Sequence, residues 1–119
     1  VLKHVAPVFH VADLQRSIVF YQDRLGFEVN FKYGDFYAGL VRYGCHLHLR
    51  LADEQRERVA VEPDENVDAC FTVSDASALA SEFSKADVRF AIPLREMPYG
   101  TEFYVSDPDG NVLVFLQAG

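Results

Sequence analysis

The feature that most constrains this chain is a pattern that occurs twice. Val11-Ala-Asp13 and Val73-Ser-Asp75 each close a strand-like run and open a helical one, half a chain apart. In the first copy, Val5 to Val11 reads as a strand containing Pro7, which cannot donate to a ladder and so marks an edge, a bend or a crossing to another element. Asp13 suits an N-cap, Leu14, Ile18, Tyr21 and Leu25 recur at helical spacing, and Gly26 stands at the C′ position, predicting a helix of about three turns. Phe27 to Phe31 and Phe36 to Tyr43 alternate about a Gly34-Asp35 turn. Cys45 to Leu51 alternates most strictly, with His46, His48 and Arg50 on one face and Leu47, Leu49 and Leu51 on the other. The second copy repeats the order. Val67 to Val73 is strand-like, Ser74-Asp75 opens a helix with Ala76, Leu79, Ala80 and Phe83 on one face, and Val88 to Ile92 is again a strand. A hairpin from Phe103 to Gln117 turns at Asp107-Pro-Asp-Gly-Asn111, where proline, glycine and short polar side chains supply the turn.

One β-α-β-β-β unit cannot bury its own sheet face, so two must pack together or pair with another chain. The expected fold is α+β: two tandem βαβββ modules, about residues 1–58 and 66–119 of a single domain. They form a curved mixed sheet with a cleft and carry the helices on the outer face. Ala52 to Asn66, charged and proline-bearing, is the expected seam.

Composition narrows the function. The formal net charge of −7 argues against a nucleic-acid partner, whose phosphates call for basic residues. No stretch reaches the ~18 apolar residues of a membrane span, and the first residues lack a signal-peptide layout. Cys45 and Cys70 are too far apart in sequence for a zinc knuckle and too few for a disulfide framework, so a cytoplasmic location is expected. No nucleophile–base pair, phosphate loop or two-carboxylate set stands out.

Pro7-Val-Phe-His-Val-Ala-Asp-Leu-Gln-Arg-Ser-Ile-Val-Phe-Tyr-Gln-Asp-Arg-Leu-Gly-Phe27, taken with the Asp107-to-Asn111 hairpin, resembles the glyoxalase / bleomycin-resistance / extradiol-dioxygenase superfamily, the vicinal oxygen chelate fold. The resemblance spans nearly the whole chain. It implies that enzymes of the family would hold a divalent metal at the positions of Pro7, Asp68 and Val114, with a fourth near His48. Proline and valine offer no ligating side chain, so neither a metal nor a catalytic residue nor a cofactor is expected. The resemblance is instead strongest to the metal-free bleomycin-resistance branch. That implies a homodimer exchanging N-terminal strands at Pro7 and sequestering a cationic or planar aromatic, bleomycin-like antibiotic without chemistry.

Met97-Pro-Tyr-Gly100 resembles the family's P-aromatic-G loop, and Phe31 and Tyr37 match its aromatic cleft positions. The expected ligand-binding residues are therefore Phe31, Tyr37, His48, Arg50, Asp68 and Tyr99. Phe31 could equally be core, and Asp68 could meet a ligand cation or pair with Arg50 or Arg42. Asp35, Glu62, Asp64, Glu65, Glu96 and Glu102 read mostly as solvated surface. Two other readings stay open: a metal-dependent lyase, isomerase or dioxygenase with a displaced site on His46, His48 and Asp68, and a dimeric domain with a vestigial cleft.

Overall fold

A computed structural model of the chain describes residues 1–53 and 67–119. The expected seam, Ala52 to Asn66, lies largely outside them. The architecture is α+β, two four-stranded mixed sheets each with its own helix, and the chain divides into two compact units, Val1–Arg58 and Val59–Gly119.

In the first unit, β1 (Val8–Val11) leads into α1 (Leu14–Val19), followed by β2 (Glu28–Tyr33), β3 (Tyr37–Arg42) and β4 (Cys45–Leu51). The strand order is β1-β4-β3-β2, with β1 parallel to β4 and the other pairs antiparallel. β1 begins immediately after Pro7 because proline has no N–H for a ladder. The Pro7 carbonyl still accepts from the His48 N–H, at 2.9 Å. Asp13 caps α1, its Oδ1 accepting from the Arg16 N–H at 3.0 Å.

The helix is not uniform as its spacing predicts. After Val19 it widens into a π-helical turn over Phe20–Arg24. Tyr21 and Leu25 are nonetheless fully buried, so the wider turn keeps the apolar stripe on the sheet. Leu14, Ile18, Tyr21 and Leu25 form the core of this unit with Phe9, Val11, Ala38, Leu40, Leu47 and Leu49, which lie on one face of the sheet.

The second unit repeats the plan with β5 (Ala69–Thr72), α2 (Ala76–Lys85), β6 (Phe90–Met97), β7 (Gly100–Ser106) and β8 (Val112–Ala118). Its order is β5-β8-β7-β6, with β5 parallel to β8, the same pattern of neighbours as in the first unit. Asp75 caps α2 as Asp13 caps α1, its Oδ1 accepting from the Ala78 N–H at 2.9 Å. On the helix side, Phe83 meets Phe103 and Phe115 edge-on, and those two rings stack with centroids 5.1 Å apart.

β6 runs to Met97, five residues past the predicted strand, and contains Pro93. An edge position and register shifts between Phe90 and Arg95 accommodate the missing N–H. The Asp107-to-Asn111 turn is tied by Asp107, whose carboxylate accepts from the Asp109 and Asn111 N–H groups and from the Asn111 amide.

Candidate functional site

In each unit the helix covers one face of the sheet, and the chemistry lies on the other. Strict alternation in β4 sends Leu47 and Leu49 toward α1 and turns His46, His48 and Arg50 away from it. Register then decides their neighbours. Tyr37 stands opposite Arg50, Gly39 opposite His48 and Val41 opposite His46, while Phe31 on β2 stands opposite Gly39.

The result is an aromatic cluster. The Phe31 ring lies nearly parallel to Tyr37 (13°, centroids 6.1 Å apart) and almost perpendicular to His48 (87°, 5.2 Å). Tyr33, 62 % exposed, tilts against Phe31 at 5.4 Å. Tyr37 Oη lies 2.8 Å from His48 Nδ1, and His48 Nε2 is buried with no hydrogen-bond partner among the described residues. Burial holds the His48 pKa below its ordinary value, and the charges that His46 and His4 can carry add to that effect. The ring is therefore neutral at pH 7. His46 itself stacks on His4 with centroids 3.8 Å apart. Three of the expected site residues, Phe31, Tyr37 and His48, thus come together, and Arg50 lies exposed on the same sheet face.

The other two expected residues belong to the second unit. Tyr99 sits in the turn between β6 and β7 with its side chain half exposed. Its hydroxyl donates to Glu102 Oε1 at 2.7 Å, while Arg95 Nε and Nη2 donate to Glu102 Oε2 at 2.8 and 2.6 Å. Glu102 is only 2 % exposed, which corrects its reading as solvated surface. Alternation in β7 explains the burial: Phe103 and Val105 point to α2, leaving Glu102 and Tyr104 on the opposite face.

The Arg95 guanidinium lies over the Tyr104 ring, 5.4 Å from its centroid. The hydrogen bond to Glu102 raises the pKa of both Arg95 and Tyr99, so the clasp is a carboxylate held by a guanidinium and a phenol. Glu62, Asp64 and Glu65 lie outside the described residues.

Asp68 is engaged by the backbone. Its Oδ2 accepts from the Val112 N–H at 2.7 Å and its own N–H donates to the Val112 carbonyl, fixing the entry to β5 against β8. Arg42 donates to the Leu25 carbonyl at 2.7 Å. Burial, and then the charge of Glu102, push the Cys70 thiol pKa up, so Cys70 is protonated at neutral pH and unsuited to nucleophilic attack.

The donor atoms of the described residues do not gather into a chelating set. Among the described residues no three His, Cys, Asp or Glu side chains converge. His48 Nδ1 is engaged by Tyr37, His46 is stacked on His4, and Val114 lies in an apolar cluster with Tyr104 and Val112. A separate groove of about 440 Å³ in the first unit is lined by Asp13, Leu14, Gln15, Lys32, Asp35 and Leu51, none of them expected site residues.

With this geometry in place, the family is clear. The sequence model of the glyoxalase/bleomycin resistance protein/dioxygenase superfamily matches residues 1–115, and the chain belongs to that superfamily. Among solved structures, it is similar to the bleomycin-binding protein of Streptomyces verticillus, solved with copper(II)-bleomycin. The identity is 25 %, all of both chains is covered, and the TM-score is 0.71.

It is also similar in fold to a glyoxalase/bleomycin resistance protein/dioxygenase from Alicyclobacillus acidocaldarius (20 % identity, 98 % of this chain and 91 % of that one, TM-score 0.80). A third is the lactoylglutathione lyase of Agrobacterium tumefaciens (18 % identity, 97 % and 92 %, TM-score 0.71). No curated protein matches the chain.

Two site features escaped the sequence reading. Gly39 was legible only as a strand residue, since its role depends on the Phe31 ring across the ladder. The alternation of β7 already set Glu102 beside Tyr104. Its partner Arg95, however, is fixed by pairing through a bulged strand, which no local pattern announces.

Proposed function

We propose that this chain is a non-catalytic binding protein of the bleomycin-resistance kind. It sequesters a small antibiotic, planar aromatic or cationic, with Phe31 and Tyr37 as aromatic contacts and His48 and Arg50 as polar contacts in the first unit, and Tyr99 as an aromatic contact in the second. The observation that carries this reading is the Phe31–Tyr37–His48 cluster, three rings gathered on the sheet face that the helix leaves uncovered. Ligand sites pair apolar and aromatic lining with a few placed polar groups, and this cluster has that composition. Likeness to a protein solved with copper(II)-bleomycin supports the ligand class. Asp68, committed to the Val112 N–H, serves this reading by fixing the entry to β5 within the second unit.

The protein works as a homodimer in the cytoplasm, with N-terminal strands exchanged at Pro7. Val1, Leu2 and Val5 support the exchange, being apolar, strongly exposed and outside any strand. Among the described residues no helix is long and apolar enough to cross a membrane.

The test is a thermal-shift panel of bleomycin-type glycopeptides, other DNA-damaging antibiotics and divalent metals, followed by calorimetry on any hit. A stabilising antibiotic recovered chemically unchanged is the expected result. Stoichiometric zinc, nickel or iron in protein purified without a histidine tag, or turnover of a bound compound, would replace this reading with a metal-dependent lyase, isomerase or dioxygenase.

A further inference from the structure

Gly39 lies in the middle of β3 and does not have the positive φ that would demand glycine. Space explains it instead. A Cβ there would come within 2.6 Å of Phe31 Cδ1 and Cζ and nearer still to Cε1, so the Phe31 ring occupies a slot that only glycine leaves open. Directly across the ladder from that slot is His48.

The tautomer of His48 follows from its partner. A phenol is a stronger donor than a neutral imidazole N–H, and an imidazole nitrogen is the better acceptor. Tyr37 Oη–H therefore donates to Nδ1 at 2.8 Å, and the ring proton resides on Nε2. That N–H is buried and has no partner among the described residues, an unfavourable state for a polar group. Tyr37 holds the Nδ1 side of the imidazole, and Phe31 is the other ring packed against it.

We propose that Phe31 is a movable cover over a waiting hydrogen-bond donor. A flat ligand ring with an acceptor at its edge, a carbonyl or a pyridine-type nitrogen, lifts Phe31 off Gly39, enters the slot and accepts from His48 Nε2–H. The exposed Tyr33 ring beside Phe31 gives the displaced side chain an aromatic surface to rest on. This rests on the ligand-binding reading above and sharpens it. At His48 the protein takes an acceptor edge, because a neutral N–H rejects an ammonium or guanidinium group.

The experiment begins without any ligand. Long-range ¹H–¹⁵N correlation spectra of wild-type protein at pH 7.5 should show His48 protonated on Nε2; protonation on Nδ1 would overturn the proposal. The probes are 4-quinolone and naphthalene, flat bicycles of similar size with and without a carbonyl. Wild type should bind 4-quinolone about tenfold more tightly than naphthalene, and the His48 Nε2 resonance should move with 4-quinolone alone.

His48→Phe, which keeps an aromatic ring at that position, should abolish the preference. Gly39→Ala should weaken both probes about tenfold with the circular dichroism spectrum unchanged. Equal affinity for the two probes, no binding of 4-quinolone, or a preference that survives His48→Phe would overturn the proposal. If an antibiotic from the panel binds in a Tyr99-dependent way that His48→Phe leaves untouched, sequestration stands and the cover is wrong. If the panel yields nothing while the probes behave as described, the cover stands and the antibiotic reading fails.

Discussion

Glu102 owes its tolerance of burial to two neighbours. A carboxylate with 2 % exposure persists only while donors satisfy its oxygens, and Arg95 and Tyr99 supply three hydrogen bonds between them. Arg95→Met should therefore lower the melting temperature by about 5 °C or more, and the Arg95→Met/Glu102→Met double variant should recover much of that loss, as read by thermal melts. Tyr99 divides by function. Tyr99→Phe should lower the melting temperature slightly and retain ligand binding, whereas Tyr99→Ala should lose most of the binding measured by calorimetry.

His48 carries a pH signature. Its folded-state pKa lies below the ordinary 6.5, chiefly through burial and then through facing His46 and His4, so the unfolded chain takes up the proton first. The stabilisation is complete above pH 6.5 and is lost as the pH falls through 6.5 toward the lower folded value. Between pH 7.5 and 5.5 the melting temperature of wild type should drop further than that of His48→Phe. His48 was legible as a residue of the open face, since alternation alone put it there. Its burial was not, because that depends on rings from two other strands.

At the scale of elements, the two helices stand on matched ends. Asp13 and Asp75, each itself in extended conformation, accept a first-turn N–H, and either change to Ala should cost about 1 kcal/mol in urea denaturation. Both caps were readable from sequence, because the short acidic side chain and the change from strand to helical periodicity are local. The π-helical turn was not, since apolar spacing at Tyr21 and Leu25 fits a helix of either pitch closely enough over so few residues. Nor was the full reach of β6, since Pro93 has no N–H for a ladder and only an irregular edge pairing carries the strand past it. Phe83 is the keystone of the second unit's helix–sheet contact, fully buried among Phe103 and Phe115. Phe83→Ala should destabilise by about 3–5 kcal/mol through loss of burial and the cavity left behind.

For the whole molecule, the repeat was the most legible property. Two copies of one strand–helix–strand pattern gave two sheets with the same neighbour order, and the flanking motifs carried the superfamily. The ligand was not legible to the same degree, because this family's chemistry is set by a few side chains on a shared frame. The association state is open to direct measurement. Light scattering should report twice the 13.4 kDa chain mass, and Val5→Asp, which puts a charge in the exposed apolar N-terminal segment, should shift it toward the single-chain value.

The parallel pairing of β1 with β4 sets an order of events during synthesis. Val8 finds its partner only at His48, after the helix and two further strands have left the ribosome, and β5 waits for β8 in the same way. Within each unit the first strand can therefore join its sheet only once the last strand has been made. A nascent chain stalled before Cys45 would hold Phe9 and Val11 on a strand that has no ladder partner of its own.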